Sequence, residues 1–186
     1  INLKLYVKEH YNMRFRSWRK IQFYKDLQNL PNVKLIHPTV NPKELLEKCS
    51  LVITTSSTAA MEAAFYEKPS IVFAETVYSD LPSVFRVKNM EELPEIISKA
   101  LKEKVNLKDV TKFVKFIEKN SFKFDDFGFT DEILERFHRG GFLINDKIDW
   151  KEFNSFLNEK RDSFNEMIQK HIVIMNNYKF QKEKVI

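Results

Sequence analysis

Residues 51–73 read LVITTSSTAAMEAAFYEKPSIVF, and this stretch decides the fold. The segments LVIT and SIVF are apolar throughout, which is typical of strands that are covered on both faces of a sheet. The alanine-rich segment between them, residues 58–67, has the composition of a helix. A strand, a helix and a second strand in this order predict a βαβ unit with parallel strands.

The flanking sequence continues the alternation of strands and helices. Two further strands are predicted at residues 2–8 and 33–37, and three further helices at residues 17–30, 42–49 and 91–104. We therefore expect an α/β protein whose residues 1–105 form a Rossmann-like domain with a parallel sheet.

After residue 105 the pattern becomes mainly helical. Helices are predicted at residues 110–119 and 131–139, and one long amphipathic helix from Trp150 onward. A short strand or a hydrophobic plug is predicted from four alternating phenylalanines, Phe122, Phe124, Phe127 and Phe129. The long helix either packs against another domain or lies on a membrane surface, and the acidic residues among its lysines favour packing. Residues 106–186 are thus expected to be a helical extension.

The composition limits the classes of function. The net charge of +5 favours phosphate-bearing partners or an anionic surface, but no signature of a nucleic-acid-binding domain is present. The single cysteine, Cys49, cannot form an internal disulfide, which favours a reducing cytosol. No apolar run approaches the roughly 18 residues that a membrane span needs.

The third predicted strand passes into a helix through a run of hydroxyl residues. This run consists of Thr54–Ser57 and is followed by a Thr58–Ala59 pair. Ligands of an open parallel sheet bind beyond the carboxyl ends of its strands, and the N–H groups of a following helix attract phosphate. All three glycines, Gly128, Gly140 and Gly141, lie outside the sheet region, which excludes a GxGxxG loop and a Walker A loop.

Hydroxyl groups are therefore the candidate donors to a phosphate, from Ser56, Ser57 and Thr58. Glu62, one turn into the helix, is the candidate acceptor from a ribose hydroxyl. Helix capping alone accounts for one of the hydroxyls, and a capping box is excluded because Thr58 and Glu62 are one residue too far apart.

A second candidate site follows the first strand. Lys8 and His10 stand at its carboxyl end, so they are expected to face the same crevice, and a histidine there can donate to a phosphate oxygen. The basic residues that follow are either part of this site or a solvated helix start: Arg14, Arg16, Arg19 and Lys20. His37 is an alternative histidine, at a predicted strand end before a turn.

The stretch from Lys8 to Pro69 resembles the C-terminal, donor-binding half of GT-B glycosyltransferases of capsule and surface polysaccharide synthesis, of the Kdo-transferase and bacterial sialyltransferase type. Those enzymes carry Lys-x-His-Pro after one strand and Ser-Ser-Thr at a later helix start. Here the motifs are Lys8-Glu9-His10-Tyr11, in which Tyr11 replaces the proline, and Ser56-Ser57-Thr58.

The resemblance implies a glycosyltransferase that takes a CMP-activated sugar. Residues 1–105 would be its nucleotide-sugar-binding domain, with the motif residues on the nucleotide phosphate. It implies that no metal or cofactor is needed and that the acceptor is a glycan or a lipid-linked molecule. It also implies that the catalytic base lies in an N-terminal GT-B half, which we expect to be missing from this chain. The expected location is cytoplasmic, with a peripheral position at the inner membrane as the alternative. Three other functions stay open: a CDP-glycerol-type polymer transferase, a UDP-sugar 2-epimerase-like isomerase, and a non-catalytic scaffold domain.

Overall fold

The computed structural model describes residues 3–10, 13, 19–141 and 147–183, with side chains up to residue 176 in the last range. The chain divides into two compact units, Ile1–Phe116 and Ile117–Ile186. The strands are β1 (Leu5–Lys8), β2 (Val33–Ile36), β3 (Val52–Thr54), β4 (Ser70–Val72) and β5 (Val84–Arg86). The helices are α1 (Ile21–Gln28), α2 (Pro42–Lys48), α3 (Ala59–Phe65), α4 (Leu93–Ala100), α5 (Leu107–Asn120), α6 (Asp126–His138), α7 (Trp150–Glu159) and α8 (Arg161–Glu183).

All strand pairs among the described residues are parallel. β1 pairs with β2, from Leu5 opposite Val33 to Lys8 opposite Ile36. β3, β4 and β5 form a second sheet in that order. The predicted α/β class, with parallel strands followed by a mainly helical segment, is confirmed. β5 was not predicted, because three residues are too few to show a period.

The core of the first unit lies on both faces of β4, all of whose residues are buried. Val72 packs in one cluster with Ala60 of α3, and Ile71 packs in another with Ala100 of α4. The doubly covered strand predicted from SIVF is therefore confirmed. The same prediction for LVIT is wrong, because Ile53 on the open edge of this sheet is 40% exposed.

Helix α3 approaches the sheet closely because its inner face is made of alanine. Ala60, Ala63 and Ala64 are all fully buried. The hydroxyl group of buried Ser70 donates to the carbonyl oxygen of Ala60 at 2.9 Å. Short side chains leave little space between helix and strand, and this packing fixes the start of α3 beside the end of β3.

The second unit has an aromatic core built from α6, α7 and α8. Phe156 is fully buried, and its ring centroid lies 5.4 Å from that of Phe129 and 5.6 Å from that of Phe137. Such ring pairs add to the stability that burial provides.

Two predictions for this region are wrong. The segment with the four phenylalanines forms no strand, since α6 begins at Asp126 and includes Phe127 and Phe129. Phe129 instead packs in the aromatic core, against Phe156. The helix from Trp150 is two helices that break at Lys160. The ammonium group of Lys160 pairs with the carboxylate of Glu132 on α6 at 2.5 Å, a tertiary contact that no local sequence signal announces.

Candidate functional site

The junction between β3 and α3 holds the run of hydroxyl residues. β3 ends at Thr54 and α3 begins at Ala59. The carbonyl oxygen of Thr55 accepts hydrogen bonds from the backbone N–H groups of Phe73 and Ala74, both at 3.1 Å. The junction is thereby tied to the chain that leaves β4, at the carboxyl edge of the sheet.

Ser57 caps α3. Its Oγ accepts from the N–H of Ala59 at 3.3 Å, and its carbonyl oxygen accepts from the N–H of Ala60 at 3.0 Å. The phenolic hydroxyl of Tyr78, a buried residue, donates to the same carbonyl oxygen at 2.7 Å. Capping therefore accounts for one of the candidate hydroxyls, as the sequence allowed.

Thr58 and Glu62 contact each other. The hydroxyl of Thr58 donates to Glu62 Oε1 at 2.8 Å. The spacing of four residues places both on one face of the helix, so this pair could have been found from the sequence. A carboxylate accepts several hydrogen bonds, so Glu62 can hold Thr58 and accept from a second hydroxyl group as well.

Ser56 differs from its two neighbours. It is exposed, and its hydroxyl makes no hydrogen bond within the described part of the chain. Of the three hydroxyls assigned to a phosphate, that of Ser56 is the one that neither caps α3 nor contacts Glu62.

The loop after β1 is organised by Glu9, which sequence reasoning missed. Its Oε2 accepts from Arg19 Nε at 3.1 Å and from the Tyr24 hydroxyl at 3.2 Å. Its Oε1 accepts from the backbone N–H of His10 at 3.3 Å. Burial raises the pKa of Glu9, but the hydrogen bonds from Arg19, His10 and Tyr24 outweigh burial and hold this pKa below its ordinary value. Glu9 is therefore a carboxylate that fixes the backbone between Lys8 and His10.

The remaining basic candidates separate into different positions. Lys8 ends β1, and His10 is exposed in the loop that follows. Arg19 is engaged by Glu9 and lies 5.0 Å from the centroid of the Phe23 ring. Lys20 is exposed, whereas Arg14, Arg16 and Tyr11 lie outside the described residues.

His37 belongs to a turn, as its sequence position suggested. It follows the last residue of β2 and is exposed. Its Nδ1 lies 2.7 Å from the hydroxyl oxygen of Thr39.

The structure groups the candidates into two loops. Ser56, Ser57, Thr58 and Glu62 lie together at the end of β3, and the Lys8–His10 segment lies at the end of β1. Both loops follow the carboxyl ends of parallel strands of the first unit, but the described strand pairs place β1 and β3 in separate sheets.

The described ranges contain no group of three or more His, Cys, Asp or Glu residues with the arrangement of a metal site. They also contain no helix that is long and apolar enough to cross a membrane.

In the second unit, a cavity of about 350 Å³ lies between α6 and α8, with Lys123, Asp125, Glu132, Lys160 and Lys170 among its lining residues. Asp125 there caps α6, accepting from the N–H of Gly128 at 3.0 Å, so its role is structural.

Part of the chain is similar to a known protein family. Residues 2–84 match the family described as capsule polysaccharide biosynthesis protein. The match begins ahead of β1, ends at the first residue of β5, and so includes both candidate loops. The match covers less than half of the chain; it supports a similarity to this family and a role in the synthesis of a surface polysaccharide. No curated protein and no solved structure shows significant similarity to the chain.

Proposed function

We propose that the first unit binds the nucleotide of an activated sugar for a glycosyltransferase that builds a bacterial surface or capsular polysaccharide. The observation that carries the proposal is the capsule-family match over residues 2–84. The matched stretch contains both loops in which the sequence motifs lie. Polymer synthesis from activated sugars needs a site for a nucleotide phosphate, and these loops have the residue types for one.

A common crevice for the two loops requires that β1 lie beside β3. If β1 lies beside β3, the observed pairs combine into the order 2-1-3-4-5, the order of flavodoxin-like sheets. Such sheets bind their ligand at the switch point between β1 and β3, outside the carboxyl ends of these strands. That position is where the loops 8–10 and 56–58 leave their strands.

The side chains of the two loops suit a sugar nucleotide. The ammonium group of Lys8 and the imidazole of His10 offer donors to the phosphate, and the Ser56 hydroxyl offers a neutral donor from the other loop. The second oxygen of Glu62 can accept from a ribose hydroxyl. We propose a CMP-linked sugar as the donor substrate, because both motifs resemble those that hold a cytidine nucleotide.

The role of this unit in transfer is positioning and charge stabilisation. In the reaction an acceptor hydroxyl attacks the anomeric carbon, the bond from that carbon to the phosphate oxygen breaks, and CMP leaves with the bonding electrons. Donors held against the phosphate stabilise the charge that develops on it. We assign the base that takes the acceptor proton to the facing GT-B half.

Calorimetric titration with CMP, CDP and UDP tests the proposal. CMP or CDP should bind more tightly than UDP. Ser56→Ala and His10→Ala should each weaken binding by roughly 10- to 150-fold, the value of one hydrogen bond to a charged group. Ser50→Ala is the matched control, because Ser50 is also exposed, precedes β3 and makes no hydrogen bond among the described residues.

Each other outcome favours a different function. Preference for UDP would support the epimerase-like isomerase. Preference for CDP-glycerol over CMP, in a further titration with that compound, would support the polymer transferase. Tight binding of CMP-sugar without transfer by the full-length protein would support a scaffold domain. Absence of nucleotide binding at millimolar concentration would contradict the proposal.

A further inference from the structure

Helix α5 carries a straight stripe of lysines. Lys108, Lys112, Lys115 and Lys119 are spaced four, three and four residues apart. At 3.6 residues per turn, these positions fall within an arc of roughly 60° and extend over about 16 Å of the helix. All four side chains are exposed. We call this set the lysine stripe.

The opposite side of α5 is fixed to the protein. Val110 is only 3% exposed, and Phe113 packs against the core cluster that contains Ala60 and Val72. These apolar positions lie about 130–170° around the helix from the middle of the lysine stripe. The stripe therefore points to solvent, whereas Val110 and Phe113 face the protein.

The stripe is poorly neutralised by the protein. Lys112 forms an ion pair with Asp109 at 3.0 Å. The other three lysines form no ion pair within the described ranges. Like charges three and four residues apart destabilise a helix by themselves, so a negatively charged partner would relieve a repulsion that is built into this face.

We propose that the lysine stripe binds a linear acidic glycan, the acceptor or product chain of the polymerisation; this assignment rests on the proposed function. The Cβ atoms of neighbouring stripe lysines lie about 5–6 Å apart, and this spacing suits a chain that carries one carboxylate or phosphate per sugar unit. A membrane-surface helix would instead bury its apolar face in the lipid. A neutral polysaccharide would not be attracted to the stripe.

The test measures binding of the 186-residue chain to polygalacturonate fragments by fluorescence anisotropy, with neutral dextran and phosphatidylglycerol vesicles as comparison probes. The variant changes all four stripe lysines to glutamine, which keeps helix propensity. The matched control changes Lys25, Lys34, Lys43 and Lys48 to glutamine, since these are exposed and remove the same net charge.

The acidic glycan should bind and dextran should not. The affinity of the chain for the acidic glycan should fall as the salt concentration rises from about 50 to 200 mM. The stripe variant should bind the glycan at least roughly tenfold more weakly than the control variant does. Equal weakening by both variants, or no binding of the glycan, would overturn the proposal; vesicle binding without glycan binding would assign the stripe to a lipid surface. CMP binding by the stripe variant should be unchanged, so failure here is distinguishable from failure of the nucleotide site.

Discussion

The two sheets of the first unit hold their candidate loops by different means. In the β3–β5 sheet, β4 is buried on both faces. The candidate loop of this sheet follows β3, and neutral hydrogen bonds around Ser57 fix it. In the β1–β2 sheet, Leu5 and Tyr6 are 49% and 53% exposed, and the loop is fixed by the Glu9 carboxylate. Packing is insensitive to salt and acid, whereas a partly exposed charge network weakens with both. Of the two loops that would form the proposed crevice, the one after β3 is therefore held by core packing and neutral hydrogen bonds. The one after β1 is held by electrostatic interactions.

The largest expected effect comes from the packed sheet. Ile71→Ala should lower the free energy of unfolding by about 2–5 kcal/mol, because it leaves a cavity between β4 and α4. Leu5→Ala on the exposed strand should cost less than about 1 kcal/mol. Urea unfolding followed by circular dichroism measures both. Equal losses would show that the two sheets do not differ as described.

The Glu9 network should respond to acid. Glu9→Gln should cost about 1–2 kcal/mol at pH 7, because a charged acceptor of three hydrogen bonds becomes neutral. The pKa of Glu9 lies below its ordinary value of 4.5, so its contribution is fully present above about that pH and is lost as the pH falls through the lowered value.

The measurement for Glu9 is the difference in unfolding free energy between the natural chain and Glu9→Gln across pH 7 to 3. The difference should shrink on acidification and also with added salt. A difference that stays constant over this range would argue that Glu9 acts through packing rather than charge.

The smallest effect should come from the neutral bond behind the second loop. Tyr78→Phe removes the hydroxyl that donates to Ser57 and should cost about 0.5–1.5 kcal/mol. Tyr66→Phe is the control, because its hydroxyl makes no hydrogen bond among the described residues. The Tyr78 effect should not change with salt. A marked salt dependence of the Tyr78→Phe effect would contradict the conclusion that neutral hydrogen bonds fix this loop.

The α/β class was accessible from the sequence because alternation of apolar strands and helices is a local signal. The burial of SIV and the capping of α3 by a serine were accessible for the same reason. The division of the strands into two sheets was not, since pairing between distant strands is a tertiary property. The break between α7 and α8 at Lys160 could not be predicted either, because the sequence has no glycine or proline there.

The candidate site was predictable in part. The motifs indicate which residues to examine, but a motif does not report the partners that a side chain already has. The structure adds that Ser57 caps α3 and that Thr58 binds Glu62. The role of Glu9 could not be predicted from the sequence, because its partners Arg19 and Tyr24 are ten and fifteen residues away. The adjacent Lys8 and His10 indicated only a phosphate site. The specific donor nucleotide remains a prediction.

The most direct test of a shared nucleotide crevice is an amide NMR titration of the chain with CMP. We predict that the signals of residues 8–10 and 56–58 shift together, with one dissociation constant for both loops. Shifts confined to one loop, or located instead at the cavity between α6 and α8, would contradict a phosphate site formed by β1 and β3.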